Sequence, residues 1–103
     1  MTSGTSLTFS SLPLHDAVLK ELTVDWASRT CVAEVSAFVD GLKSPAQERR
    51  IVWRRIEEVV VPRRAPWGDS VHINSAREED GQFVIEIQSG DVIRVAAAGV
   101  EFS

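Results

Sequence analysis

Cysteine is nearly absent from this sequence. The single Cys31 excludes an intramolecular disulfide framework and leaves no cysteine-based zinc site. It lies in CVAEVSAFV, residues 31–39, in phase with alternating apolar residues, and we expect it to be a small buried side chain. A nucleophilic thiolate needs an accessible, electropositive setting, which this stretch does not offer. A reducing, cytoplasmic location is therefore expected.

Long apolar runs and signal-like features are also lacking. Runs such as VAAAGV, residues 95–100, are far too short to span a bilayer. The start, MTSGTSLTFSSLPL, has no basic region followed by a sustained apolar stretch, so no secretory signal is predicted. Residues 1–6 are expected to form a loose tail. With 103 residues, 44% hydrophobic and 25% charged, the chain is expected to fold as one soluble domain, 1–103.

Motifs for common chemistry are missing as well. The sequence has no Gly-rich phosphate loop and no nucleophile elbow. Its two histidines, His15 and His72, do not have the spacing of a compact metal-ligand motif, so neither a metal nor a cofactor is expected. Arginines together with Trp53 and Trp67 would suit stacked bases, but a pI near 5.1 disfavours nucleic-acid binding.

Charge is distributed unevenly along the chain. The net charge is −4, yet the segment from Lys43 to Arg64 holds seven basic and three acidic residues, a local balance of 7 − 3 = +4. This asymmetry suits a basic face for an acidic partner, or a self-complementary dimer surface. It equally suits a solvated edge strand whose arginines prevent pairing with other molecules. The sequence leaves these alternatives open.

The dominant hydrophobic period is two, which indicates β-strands. LKELTVDW and CVAEVSAFV alternate across the turn ASRT and predict a hairpin with a loop of about four residues. SVHIN, QFVIEIQ and VIRVAAA predict a C-terminal antiparallel meander, with REEDG (77–81) and SGD as its turns. We therefore expect an all-β fold with minor helix at most. About six antiparallel strands would form a meander curled into a half-barrel or sandwich.

One segment is ambiguous between strand and helix. In RRIVWRRIEEVVVP, residues 49–62, the spacing of Val52, Ile56, Val59 and Val60 also suits a helix face. Its β-branched content favours a strand, with a bulge near Arg54-Arg55. The loop before it, residues 40–48, has room for a short helical turn after Ser44-Pro45.

The stretch VPRRAPWGDSVHIN, residues 61–74, is predicted to be a rigid corner. Pro62 and Pro66 prevent continued ladder hydrogen bonding, and Gly68 permits a tight reversal. Trp67 is expected to fold back as a plug over the open end of the core. Arg63 and Trp67 are also candidates for contact with a partner.

Candidate binding residues gather around two polar features. The pair His15-Asp16 has the residue types of a base and its orienting carboxylate, but it also suits hydrogen bonding at a chain reversal. The second feature is the set of polar side chains that alternate with apolar ones along the C-terminal meander and are expected to share one face of the sheet. The candidates are His15, Asp16, Arg63, Trp67, Asn74, Glu86, Gln88 and Asp91.

Three blocks of the sequence together resemble a family of small bacterial proteins of unknown function. They are LHDAVLKELTVDW, VPRRAPWGDSVHIN and FVIEIQSGDVIRV, and the resemblance runs from Leu14 to Val95. The matching motif positions are His15, Asp16, Pro62, Arg63, Pro66, Trp67, Gly68, Ser70, Asn74, Glu86, Gln88, Ser89, Gly90 and Asp91. The chain departs from the family pattern at Asp69 and His72. The resemblance implies no particular reaction.

A second likeness, carried by LHDA and by size, is to small β-rich immunity proteins of bacterial toxin systems. The leading hypothesis is a non-catalytic protein-interaction module that binds a protein partner or a second copy of itself. The alternatives are a toxin-immunity role and a small-ligand or enzymatic site formed by His15, Trp67, Asn74, Glu86 and Gln88.

Overall fold

A computed structural model describes residue 9, residues 12–40 and residues 44–103. The described residues form six β-strands and no α-helix. The strands are β1 (Val18–Asp25), β2 (Thr30–Ala37), β3 (Gln47–Val60), β4 (Ile73–Glu79), β5 (Gln82–Ile87) and β6 (Val92–Phe102). The expectation of an all-β, six-stranded antiparallel fold is confirmed. In the described residues, no helix has the length and apolar character needed to cross a membrane.

The sheet is built from two three-stranded meanders joined at their last strands. Its order is β1-β2-β3-β6-β5-β4, so β3 pairs with β6 and not with β4. The connection through residues 61–72 carries the chain from the centre of the sheet to its far edge. This crossing brings β4 next to the start of β1, and the two edges of the sheet meet there.

Closure of the sheet occurs at a single bridge, between Val18 and His72. The N–H of Leu19 donates to the Val71 carbonyl at 2.8 Å, and the N–H of Ile73 donates to the Ala17 carbonyl at 2.8 Å. The sheet therefore curls until its edge strands touch at one point. Among the described residues, no strand lies beside most of the β1 edge.

The core forms on the concave face, as period-two alternation requires. In β2, every second side chain is fully buried: Cys31, Ala33, Val35 and Ala37. Phe9 lies inside the curl, with its ring centroid 6.1 Å from that of Trp53 and 5.1 Å from that of Phe83. Phe83, Ile85 and Ile87 of β5 face inward, in keeping with the period-two alternation of QFVIEIQ.

The ambiguous segment is a strand with a bulge, as predicted. β3 runs unbroken through 14 residues, and Arg55 has a positive φ of 55°. The pairing register with β6 shifts between Ile56 and Glu58. A helix face would bury residues every three or four positions, whereas Ile51 and Trp53 are both buried two apart.

Three local predictions are wrong. Arg77, Glu78 and Glu79 belong to β4, and the turn is only Asp80-Gly81, whose φ angles of 48° and 80° suit a two-residue hairpin loop. A charge run resembles a turn in sequence, but it is tolerated on an edge strand with solvent on one side. Residues 44–46 form no helical turn.

The third wrong prediction concerns Trp67. It does not plug the core; it stays 77% exposed and packs against the hairpin between β5 and β6. The predicted tail, residues 1–6, lies outside the described residues.

Candidate functional site

The corner is fastened to the β5–β6 hairpin by the side chain of Asp91. The carboxylate accepts hydrogen bonds from the Arg64 N–H at 2.7 Å and from the Ala65 N–H at 2.9 Å. The hydroxyl of Ser89 donates to the same carboxylate at 2.7 Å. Ser89 and Asp91 are both buried, and the N–H of Trp67 donates to the Ser89 carbonyl at 2.9 Å. The blocks VPRRAPWGDSVHIN and FVIEIQSGDVIRV therefore contact each other through these hydrogen bonds.

These donors make the Asp91 carboxylate easier to ionise. The hydrogen bond from the Arg64 backbone lowers the pKa of Asp91, and those from Ser89 and Ala65 and the charge of Arg63 act in the same direction. Burial opposes them but does not cancel them. Asp91 is thus an anion that two backbone amides and a hydroxyl hold in place.

Gly90 lies directly beneath the corner. Its φ is +94°, a conformation that L side chains rarely adopt. A Cβ at this position would come within 2.8 Å of Cγ of Pro66 and 2.9 Å of Cδ2 of Trp67. Glycine is needed here because its φ is positive and because the corner approaches the hairpin backbone too closely for a side chain.

The LHDA turn is tied to β4 and β5. His15 Nδ1 donates to the Asn74 carbonyl at 2.7 Å, and Nε2 of Gln88 donates to Asp16 Oδ1 at 2.7 Å. Asp16 has a positive φ of 65°, and its N–H donates to the Ile73 carbonyl at 2.8 Å. The turn therefore fixes the start of β1 beside the start of β4, where the sheet closes. We call this turn, the corner (61–72) and the hairpin 88–91 the closure region.

The closure region holds most of the sequence candidates, although they do not share one pocket. His15, Asp16 and Gln88 meet at the LHDA turn, and Asn74 contributes its backbone carbonyl there. At the corner, Asp91 binds the Ala65 backbone, Trp67 packs against Gly90, and Arg63 lies 3.3 Å from Asp69. The hypothesis of a ligand site among these residues stays a prediction.

Glu86 is the candidate that lies apart from the others. It forms a salt bridge with Arg77 of β4 on the convex face of the sheet. Arg77 also contacts Glu79 at 3.0 Å, and both carboxylates raise the pKa of the Arg77 guanidinium. Val84 is fully buried on this convex face, paired across the strands with Arg77 and Arg94. Glu86 therefore belongs to a cross-strand ion pair.

Sequence reasoning missed an apolar groove beside the β1–β2 turn. The sequence predicts Trp26 as the last residue of the alternating strand LKELTVDW, but it begins the turn 26–29 and is 91% exposed. It borders a groove of about 780 Å³. The groove is lined by Val24, Trp26, Ala27, Arg29, Ile56, Glu57, Glu58, Val59 and Val61. Ile56 and Val59 also pack against the core, so the floor of the groove is continuous with it.

The groove arises where β3 extends past the end of β2. The pairing of β2 with β3 stops at Thr30 and Arg54, and the bulge that follows bends β3. The N–H of Ile56 donates to the Arg29 carbonyl at 3.0 Å, and Nη2 of Arg29 donates to the Ile56 carbonyl at 3.3 Å. The turn is thereby held against β3, and the valines beyond the bulge have no strand from β2 to cover them.

Several cations of the basic segment are paired with carboxylates on neighbouring strands. Arg54 lies 2.5 Å from Glu101, and Arg50 lies 3.8 Å from Glu34. Glu48, an acidic residue of the same segment, instead binds Lys20 of β1 at 2.7 Å, and this contact raises the pKa of the lysine. The local excess of positive charge in the sequence is therefore partly neutralised across the strands.

Cys31 is buried, and burial raises the pKa of its thiol to about 11. The thiol therefore stays protonated at neutral pH. Across residue 9 and the ranges 12–40 and 44–103, no three His, Cys, Asp or Glu side chains are grouped to hold a metal ion.

Comparison with known proteins gives a fold likeness. Neither a family model nor a curated protein matches the chain. The structure is similar to the crystal structure of an uncharacterized protein from Neisseria gonorrhoeae, with a TM-score of 0.55 and 16% sequence identity. The match covers 86% of this chain and 91% of that chain. At this identity the likeness shows the fold and carries no activity.

Proposed function

We propose that this protein is a non-catalytic protein-interaction module that binds its partner through the apolar groove. The observation that carries this proposal is the position of Trp26, 91% exposed on the border of a groove of about 780 Å³. Val24 and Val61, both roughly half exposed, extend the same apolar surface.

Tryptophan in this setting is typical of a binding hot spot. A tryptophan side chain buries about 150–250 Å² when it is covered, and removing that area from water is favourable. Hot-spot residues are enriched in Trp, Tyr and Arg and lie in pockets from which a partner excludes water. Trp26 and Arg29 both line the groove, and its floor is aliphatic. This combination supports a protein surface as the ligand.

The closure region supports a binding function less well. Its carboxylates and amides already contact groups of this chain, through the hydrogen bonds of Asp16, Gln88 and Asp91. A partner that used them would have to replace these contacts. A toxin-immunity role, a small-ligand site and a cytoplasmic location remain hypotheses from the sequence.

Site-specific photo-crosslinking tests the proposal. A photoreactive phenylalanine analogue placed at position 26 is expected to form a protein adduct in cells that produce the protein. The matched control carries the same analogue at position 67, because Trp67 is another exposed indole, 77% exposed and outside the groove. We expect a defined adduct from position 26 and none from position 67.

A second variant tests whether the adduct depends on the groove. Val61→Asp places a charge in the groove at a half-exposed position and should abolish the adduct without unfolding the protein. Equal crosslinking from positions 26 and 67, or an adduct that survives Val61→Asp, would contradict the proposed function.

A further inference from the structure

We infer that the protein occupying the groove is a second copy of this chain, in a two-fold symmetric dimer. This inference rests on the proposed function and names its partner. A two-fold interface requires one patch that is complementary to itself, so that each protomer supplies both halves of every contact. The groove and its surroundings meet this requirement in shape and in charge.

The shape of the patch combines a protruding side chain with a recess. Trp26 projects from the β1–β2 turn, and the recess next to it is floored by Ile56 and Val59. Trp26 lies at the border of its own groove, so a two-fold axis through the patch places each indole in the partner's recess. A protrusion and a recess on separate surfaces would instead build open chains.

The charges on the rim are complementary under the same symmetry. Arg29 lies on the turn side of the groove, and Glu57 and Glu58 lie on the β3 side. Within the described part of the chain, none of the three is in a salt bridge, and the Arg29 guanidinium donates only to the Ile56 carbonyl. A two-fold axis that exchanges the turns brings Arg29 of each protomer to the partner's glutamates.

The patch has the size of a weak, transient interface. Two buried tryptophans and the flanking valines cover less than the roughly 800 Å² per partner of a standard stable interface. The dimer is therefore reversible, with a dissociation constant on the order of micromolar rather than nanomolar.

Sedimentation equilibrium over a range of protein concentrations is the first test. The wild type is expected to dimerise, and Trp26→Ala should raise the dissociation constant roughly a thousandfold, because the symmetric dimer loses one hot-spot residue, worth about 30-fold, from each protomer. Trp67→Ala serves as the matched control and should leave the constant unchanged. A wild type that stays monomeric, or a dimer unaffected by Trp26→Ala, would overturn the inference.

A charge exchange tests the two-fold arrangement. Arg29→Glu alone and the double variant Glu57→Arg/Glu58→Arg alone should each lose self-association, because every rim contact becomes repulsive. An equal mixture of the two should form a heterodimer, because both rim contacts are then attractive. Failure of the mixture to associate would overturn the proposed geometry.

The same measurements separate this inference from the proposed function. The wild type could be monomeric and still form, from position 26, a groove-dependent adduct with a different protein. That result would support the proposed function and overturn the dimer. An adduct between two copies of this chain that is lost in Arg29→Glu and restored when the two charge variants are mixed supports both the proposed function and the dimer.

Discussion

The closure region and the apolar groove lie side by side, share Val61 at their boundary, and are built in opposite ways. In the closure region, Asp16 and Ala65 have positive φ angles. Their N–H groups are fixed by hydrogen bonds, to the Ile73 carbonyl and to the Asp91 carboxylate. In the groove, apolar side chains face water and few polar contacts hold them. The polar side chains of the first region stabilise the fold, and the apolar side chains of the second region form the surface to which we assign the proposed partner.

This difference bears on the three sequence motifs. LHDA, the PWG corner and QSGD were the most distinctive parts of the sequence, and they meet each other in the structure through Asp16, Gln88, Gly90 and Asp91. A distinctive motif can therefore mark the places where a chain must close on itself. The groove carries no motif at all, and only the exposure of Trp26 reveals it.

Gly90→Ala is expected to have the largest effect on stability. The positive φ and the approach of Pro66 and Trp67 to the new Cβ should together cost about 2–4 kcal/mol in the free energy of unfolding. Gly81→Ala is the matched control, since Gly81 has a φ of +80° but nothing within 4 Å of a Cβ. Its cost should be only about 1–2 kcal/mol. Equal losses in urea unfolding would show that the corner does not pack on the hairpin.

Asp91→Asn should lower the melting temperature by roughly 5–10 °C at neutral pH, because the amide cannot accept from all three donors. The lowered pKa of Asp91 means that its carboxylate stabilises the fold above pH 4 or so. This contribution is lost as the pH falls through the folded-state pKa. The gap in melting temperature between wild type and variant should therefore narrow below about pH 4. A gap that is constant with pH would contradict this role for Asp91.

Gln88→Ala should cost about 0.5–1.5 kcal/mol, the usual net value of one hydrogen bond, here the one to Asp16. Chemical denaturation measures it. Gln82→Ala is the control, because Gln82 is a half-buried glutamine at the start of β5, outside the closure region. It should reduce the free energy of unfolding by less. If both changes cost the same, the LHDA turn is not held by this contact.

Trp26→Ala should have the smallest effect on the folded monomer, within about 0.5 kcal/mol, because the side chain is 91% exposed. Urea unfolding at a protein concentration low enough to keep the wild type monomeric checks this value. A loss of more than about 1 kcal/mol would mean that Trp26 supports the fold and is not reserved for a partner.

Much of the fold was predictable from the sequence because period-two alternation directly reports which side chains face the core, as in β2 and β5. The strand order was not, because the pairing of β3 with β6 depends on a long connection that no local pattern describes. The contacts of Asp91 with residues 64 and 65 join positions far apart in sequence and were invisible for the same reason. Trp26 was misplaced because alternation says nothing about where a strand ends.

The most direct test is urea unfolding of the wild type and of Trp26→Ala, each at two protein concentrations about a hundredfold apart. It asks whether the groove serves association while folding depends on the closure region instead. Because a dimer stabilises the native state by mass action, the wild-type midpoint should rise with concentration. The midpoint of Trp26→Ala should not change and should equal the wild-type value at the lower concentration. A wild-type midpoint independent of concentration, or a variant less stable than the wild-type monomer by more than about 1 kcal/mol, would contradict this account.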